Sequence, residues 1–103
     1  MRKNTEAVIR AFEFGRAAHP SESIWTDGDS IYSYQTVLLA TLANGKYALN
    51  VTRYSNTTTQ HQNALRAEFY GRIVATFDNL PRGIKARELV DMALLDSPAG
   101  AAR

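Results

Sequence analysis

The signature of this chain is the polar run Tyr54-Ser55-Asn56-Thr57-Thr58-Thr59-Gln60-His61-Gln62, which lies where a predicted hairpin strand turns into a predicted helix. Thr57 with Gln60, and Thr59 with Gln62, have the spacing of a capping box, in which a hydroxyl and a side-chain amide satisfy unpaired backbone donors. Capping explains most of this polar run, because a strand that leaves a sheet must pass its unpaired backbone groups to new partners. One threonine and one glutamine would suffice, so the surplus hydroxyls and amides leave a binding function open.

Outward from this junction, hydrophobic periodicity and turn residues divide the chain into seven elements. They are a helix that Asn4 or Thr5 caps and that runs to about Ala18, strands over 22–26, 29–34, 36–42 and 46–54, and helices over 57–77 and 84–95. The strands over 29–34 and 36–42 can equally be one bent strand, since neither Gly nor Pro separates them. We expect an α+β fold, an antiparallel four-stranded sheet of two hairpins packed against helices on one face, in the order α-β-β-β-β-α-α. Residues 1–95 are expected to form one domain and residues 96–103 a disordered tail.

Two dipeptides, Asp27-Gly28 and Asn44-Gly45, predict the hairpins, because both tolerate the positive φ of a type I′ turn. A two-residue loop at Asn44-Gly45 pairs Leu42 with Tyr47, Ala40 with Leu49 and Leu38 with Val51, and this face is expected to be the core. The reverse face is half polar, with Val37, Leu39 and Thr41 against Thr52, Asn50 and Ala48. We expect a helix or a partner to cover it, and a homodimer through this face is one alternative.

The first hairpin concentrates aromatic residues on the sheet. Its register places Trp25 and Tyr32 on the face opposite Ile24 and Ile31. Two interpretations stay open: an exposed aromatic pair that anchors a protein partner or stacks on bases, or a pair packed under the first helix.

His61 lies four residues before Leu65, at the head of an apolar stripe that recurs every four residues as far as Phe77. This position predicts a partly buried histidine, hydrogen-bonded to backbone, rather than a general base. An enzyme would have to pair His61 with Ser55 or one of the threonines, and no carboxylate lies nearby in the sequence to orient the ring. We assign no catalytic residue and keep a small enzyme acting through His61 as a third hypothesis.

Composition excludes several classes of protein. The 103 residues include no cysteine and only two histidines, without a local metal-ligand, P-loop or dinucleotide-binding pattern, so neither a metal nor a cofactor is expected. The longest apolar stretch, 37–43, is far shorter than the roughly 20 residues that a bilayer needs, and no signal peptide is visible. We expect a cytoplasmic protein without a membrane association.

Charge decides between the candidate partners. The helix start, with Arg53 beside it, has the groups that bind a phosphate or carboxylate. A strip of Thr59, Asn63, Arg66 and Tyr70 could lie against a nucleic-acid backbone, with Arg53 and Arg72 adding charge. The net charge is only +2, however, which predicts few phosphate contacts. We therefore favour a protein partner and keep nucleic acid as the alternative.

The run Tyr54-Ser55-x-Thr57-Thr58-Thr59-x-His61-Gln62, with Ser33-Tyr34-Gln35-Thr36 upstream, resembles a pattern in small bacteriophage and plasmid proteins of unknown function. The resemblance covers about residues 30–70. It implies an accessory phage protein that acts in the host bacterial cytoplasm, and the arginine-rich composition fits a GC-rich host such as an actinobacterium. Our first hypothesis is a non-enzymatic module that binds a host protein. The candidate binding residues are Arg53, Tyr54, Ser55, Asn56, Thr57, Thr58, Thr59, His61, Gln62 and Arg66.

Overall fold

The computed structural model describes residues 3–96 and confirms the α+β class. Three helices and six strands follow one another as α1 Lys3–Glu13, β1 Ala18–Ser21, β2 Ile24–Thr26, β3 Ser30–Ser33, β4 Thr36–Thr41, β5 Tyr47–Asn50, α2 Asn56–Glu68, β6 Ile73–Phe77 and α3 Ala86–Asp96. Two 3₁₀ turns, Ala43–Gly45 and Tyr70–Arg72, precede β5 and β6. The predicted disordered tail lies outside the described residues, apart from Asp96 at the end of α3. No helix within residues 3–96 has the length and apolar character to cross a membrane.

The sheet is larger than predicted and mixed rather than antiparallel. Its six strands lie in sequence order, β1 to β5 pair antiparallel, and β6 pairs parallel with β5 after a crossover through α2. The predicted helix over 57–77 is therefore wrong beyond Glu68. Ile73, Val74 and Thr76 are β-branched and favour a strand, and the apolar spacing from Leu65 to Phe77 does not distinguish one helix from a helix followed by a strand.

The first helix ends earlier than predicted because a glycine closes it. Gly15 has a φ of +68°, its N–H donates to Phe12 O, and Arg16 N donates to Ala11 O at 2.8 Å. This is the hydrogen-bond pattern of a Schellman motif, which ends a helix one residue before the left-handed glycine. Phe14, which follows the helix, is 73% exposed. The released chain forms β1, a strand that the sequence did not predict because Pro20 lies within it.

Helices cover both faces of the sheet, not one. One core lies under α1 and α2, and contains Val8, Ile9, Phe12, Ile24, Ile31, Leu38, Leu39, Tyr47, Leu49, Leu65 and Phe69. The second lies under α3, and contains Val37, Ala40, Ala48, Ile84, Leu89 and Ala93. The reverse face of the second hairpin was expected to be covered by a helix or by a partner. Helix α3, which packs on β4 and β5, is the helix that covers it.

The second hairpin pairs one residue away from the predicted register. Leu39 lies opposite Leu49 and Thr41 opposite Tyr47, because the 3₁₀ turn Ala43–Gly45 replaces a two-residue loop. A shift of one residue exchanges the two faces of a strand, so Ala40 lies under α3 instead of opposite Leu49 in the first core. In the first hairpin Trp25 lies opposite Tyr32, so the two share a face as predicted.

Candidate functional site

The polar junction is capped by Ser55, not by the predicted threonines. Ser55 has extended backbone angles, and its Oγ accepts a hydrogen bond from Thr58 N at 3.2 Å. The Ser55 hydroxyl also donates to Thr58 Oγ1 at 3.1 Å. The helix therefore begins at Asn56, while Thr57 and Gln60 have exposed side chains.

The buried side-chain amides of Gln62 and Asn50 hydrogen-bond to backbone groups at the end of β5. Gln62 donates its side-chain Nε2 to Asn50 O at 2.7 Å and to Thr52 O at 3.0 Å. Asn50 is fully buried, donates Nδ2 to Val37 O and to the Tyr54 hydroxyl oxygen, and accepts from Thr52 N. These bonds satisfy backbone groups where the ladder stops, which is the structural use of a buried amide.

Tyr54 hydrogen-bonds to the loop between β6 and α3 and holds this loop against the junction. Its hydroxyl lies 3.0 Å from Leu80 O and 3.2 Å from Pro81 O. Arg82 donates Nη2 to Tyr54 O and lies over the tyrosine ring, with Cζ 5.4 Å from the centroid. Arg82 was not predicted as a site residue, since its approach to Tyr54 depends on the unpredicted crossover.

His61 is buried between α1 and α2, as its place in the apolar stripe predicts. Its Nδ1 lies 3.3 Å from Thr5 Oγ1. The hydroxyl beside this nitrogen is therefore that of Thr5, on α1. The enzyme hypothesis had paired His61 with Ser55 or a junction threonine instead. Both residues line a cavity of about 180 Å³, with Lys3, Asn4, Ser23 and Ile24.

The two segments that carry the phage-protein resemblance meet at a cavity of about 230 Å³, which we name the motif cleft. Its lining residues are Ser33, Tyr34, Gln35, Thr36, Tyr54, Thr58, Arg82 and Gly83. Ser33 Oγ lies 3.5 Å from Thr58 Oγ1, and Gly83 N donates to Thr36 Oγ1 at 2.8 Å. The first contact holds the end of β3 against the start of α2, and the second joins the start of β4 to the loop before α3.

Tyr34 turns the chain between β3 and β4 in a conformation that is rare for a bulky residue. Its φ is +55°, a left-handed value that is sterically unfavourable for tyrosine. Two hydrogen bonds hold its backbone there: Tyr34 N donates to Glu22 O, and Trp25 Nε1 donates to Tyr34 O at 2.8 Å. The ring, 58% exposed, is consequently presented at the rim of the motif cleft.

A second cavity, of about 250 Å³, contains two of the predicted basic residues, and we name it the arginine cleft. It is lined by Val51, Arg53, Thr59, Gln62, Asn63 and Arg66, with no carboxylate in that lining. Thr59, Asn63 and Arg66 are spaced to share one face of α2, as predicted. Arg72 lies elsewhere, because it donates to Tyr47 OH at 2.6 Å at the opposite end of β5.

Three rings form a continuous aromatic stack across β1, β2 and β3. The rings of His19 and Trp25 are 4.8 Å apart with planes at 5°, and those of Trp25 and Tyr32 are 4.3 Å apart at 12°. Ile24 and Ile31 belong to the core under α1, so strand alternation places the stack on the other face. The alternative of packing under the first helix is therefore wrong.

Carboxylates border the aromatic stack. Tyr32 OH donates to Asp27 Oδ2 at 3.2 Å, and His19 Nε2 lies 3.0 Å from Glu22 Oε1. Burial, together with the negative charge and the hydrogen bond of Asp27, raises the pKa of Tyr32 above its ordinary value. The sequence predicted the pair of Trp25 and Tyr32 but missed His19, because it placed no strand at β1.

Within residues 3–96, no cluster of three or more His, Asp or Glu side chains is arranged to hold a metal ion. The structure brings Arg53 together with Thr59, Gln62 and Arg66, and Tyr54 together with Thr58, while His61 lines a third cavity. The candidate site is therefore divided among three concave surfaces and one flat one, the aromatic stack.

No protein-family model, curated protein or solved structure matches this chain.

Proposed function

We propose that this chain is a non-enzymatic accessory protein of a bacteriophage that binds a host protein through the aromatic stack. The observation that carries the proposal is the parallel stacking of His19, Trp25 and Tyr32 across β1, β2 and β3, with Tyr32 at the border of the core under α3. Helix α3 packs on β4 and β5, whereas the stack lies on β1 to β3. Rigid aromatic side chains of this kind are favoured anchors at protein interfaces.

The polar junction supports this choice indirectly, because much of it is engaged within the fold. Ser55 caps α2, Tyr54 holds the loop before α3, and Gln62 binds the end of β5. These roles account for much of the polarity that first favoured a binding site at the junction. A surface whose rings are only partly used by the fold is then the better candidate for recognition.

Electrostatics favour a protein over nucleic acid at the aromatic stack. Glu22, Asp27 and Asp29 lie in the segment 17–52, where Lys46 is the single basic residue. Carboxylates beside the rings repel a phosphate backbone and attract basic side chains of a partner protein. The phage setting itself rests on the resemblance of residues 30–70.

Affinity capture from an actinobacterial lysate, with and without nuclease, tests the proposal. Wild-type protein is expected to retain one host protein after nuclease treatment. Trp25→Ala should weaken that binding about tenfold or more, which is the usual cost of losing an aromatic anchor. Tyr70→Ala is the matched control, since it removes an aromatic ring that is 81% exposed outside the stack. Capture that disappears with nuclease, or that Trp25→Ala leaves unchanged in a folded protein, overturns the proposal.

A second candidate function is nucleic-acid binding through the arginine cleft. The observation that favours it is the shared cavity of Arg53 and Arg66, with Thr59 and Asn63 between them as hydrogen-bonding groups. Two arginines and neutral polar side chains are suited to a phosphate. The two functions use different surfaces, so variants separate them.

Fluorescence polarisation with labelled single- and double-stranded DNA at physiological salt tests this second function. The double variant Arg53→Ala, Arg66→Ala should weaken binding about equally for every sequence, because phosphate contacts carry no sequence information. Arg87→Ala, an exposed arginine on α3, is the control for loss of charge alone. An absence of wild-type binding, or equal losses in both variants, rejects the arginine cleft.

A further inference from the structure

The aromatic stack is closed at one end and open at the other. Tyr32 packs against the core under α3, and Val37 on β4 lies opposite it. Trp25 has a ring on each side. His19 lies on β1, which forms the edge of the sheet, and no strand of residues 3–96 lies beyond it. A further planar group can therefore join the stack only on the outer face of His19.

This outer face of the imidazole is open to solvent. The inner face lies on Trp25, with the ring centroids 4.8 Å apart and the planes at 5°. The His19 side chain is nevertheless 48% exposed. Within the described part of the chain, Trp25 is the one ring that contacts His19. The stack thus ends in an uncovered aromatic face at the edge of the sheet.

Glu22 places a negative charge beside the open face. Its Oε1 accepts a hydrogen bond from His19 Nε2 at 3.0 Å, so the carboxylate lies at the edge of the imidazole ring. The Glu22 side chain is 68% exposed, and no donor within residues 3–96 reaches its second oxygen. The chain has neither Lys nor Arg between Ala17 and Gly45, so these strands supply no cation of their own. A group stacked on His19 would bring its own edge beside the second oxygen of Glu22.

We infer that an arginine side chain of the partner protein stacks on His19 and donates a hydrogen bond to Glu22. The guanidinium is planar and cationic, and its N–H donors lie in the plane of the group. It can therefore lie parallel to a ring while its edge donates to a carboxylate, which the compact ammonium of lysine cannot combine. The inference rests on the proposed function, because it names the chemistry of the host protein that the aromatic stack binds.

NMR titration of the full chain with short peptides tests this contact. The probe is a hexapeptide of alternating arginine and glycine, and matched peptides carry lysine, citrulline or phenylalanine in place of arginine. The ring-proton signals of His19 should shift with the arginine peptide, which is expected to bind about fivefold more tightly than the lysine or citrulline peptide. Equal binding of the arginine and lysine peptides, tighter binding of the phenylalanine peptide, or no shift at His19 overturns the inference.

A variant of Glu22 tests the second half of the contact. Glu22→Gln removes the charge, nearly keeps the shape, and should weaken the arginine peptide about fivefold while changing the citrulline peptide little. Glu68→Gln is the matched control, because Glu68 is exposed on α2 and belongs to the other face of the protein's sheet. An unchanged affinity in Glu22→Gln, or an equal loss in both variants, overturns the inference.

Capture from the host lysate separates this inference from the proposed function. Loss of the host protein in Trp25→Ala, together with weaker capture by Glu22→Gln, supports both. If Trp25→Ala loses the host protein while Glu22→Gln retains it fully, the aromatic stack binds its partner without the arginine contact, and the inference alone is overturned. If both variants retain the host protein, the proposed function is overturned as well.

Discussion

Gln62 on α2 donates its side-chain Nε2 to the carbonyl of Asn50 at 2.7 Å, and this bond joins the helix to the last residue of β5. The same nitrogen lies 3.0 Å from Thr52 O. One buried amide therefore satisfies two carbonyls at the place where β5 ends. The bond also holds Val51 and Arg53 beside α2, which forms one wall of the arginine cleft.

Replacement of Gln62 by leucine is expected to lower the free energy of unfolding by about 2–3 kcal/mol, because two carbonyls lose a buried donor while the volume is largely kept. Urea denaturation followed by circular dichroism measures the loss. Gln60→Leu, on the same helix but exposed, should change stability by less than about 0.5 kcal/mol. Equal effects at the two positions would contradict the role given to Gln62.

Replacement of Ser55 by alanine should cost about 1 kcal/mol, the usual cost of losing a helix N-cap. Thr57→Ala should have almost no effect, since Thr57 is exposed and lies inside the first turn. The pair of variants separates the observed cap from the predicted capping box. Thermal unfolding of both proteins decides the matter, and a larger loss for Thr57→Ala would favour the original prediction.

The junction shows how far sequence reasoning reaches. A polar run before an apolar stripe predicted a helix start and a buried His61, and both were found. Thr57 and Thr59 were predicted as caps because each has a glutamine at capping-box spacing, whereas Ser55, which caps the helix, has a threonine there. The bonds from Gln62 to Asn50 and Thr52 depend on how α2 packs against β5, which local spacing does not contain.

The register of the second hairpin was missed for a different reason. Alternation specifies register only when one face of a strand is buried and the other is wet. Here Leu39 lies under α1 and α2 while Ala40 lies under α3. Both faces of β4 are apolar, so a shift of one residue violates no pattern in the sequence.

Strand β6 is the third feature that the sequence did not predict correctly. Apolar residues at Leu65, Phe69, Ile73 and Phe77 fit one long helix, yet the chain changes from helix to strand through the 3₁₀ turn Tyr70–Arg72. Gly71 and the β-branched residues after it were the features of the sequence that indicated this change from helix to strand. The arginine cleft was nevertheless predicted in part, because Thr59, Asn63 and Arg66 all precede this change.

Replacement of Gly28 by alanine should destabilise the fold by about 3 kcal/mol or more. Gly28 has a φ of +99°, and an added Cβ would lie 2.8 Å from Gly15 O. Gly15→Ala is the matched control, because its φ is +68° with open space around the added carbon. That variant should lose only about 1 kcal/mol from the left-handed backbone. Similar losses in urea denaturation would show that the close approach does not matter.

The stability of the fold should fall as the pH rises above the ordinary tyrosine pKa of 10.0, because burial and Asp27 raise the pKa of Tyr32 in the folded state. Above this pH the unfolded chain loses the hydroxyl proton of Tyr32 before the folded protein does. The stability that the raised pKa contributes is therefore complete below pH 10.0 and is lost as the pH rises through the folded-state pKa. Tyr32→Phe should reduce the slope of unfolding free energy between about pH 9 and 11. Asp27→Asn should also reduce it, since the negative charge of Asp27 contributes to the raised pKa of Tyr32. An unchanged slope in Tyr32→Phe would contradict the assignment.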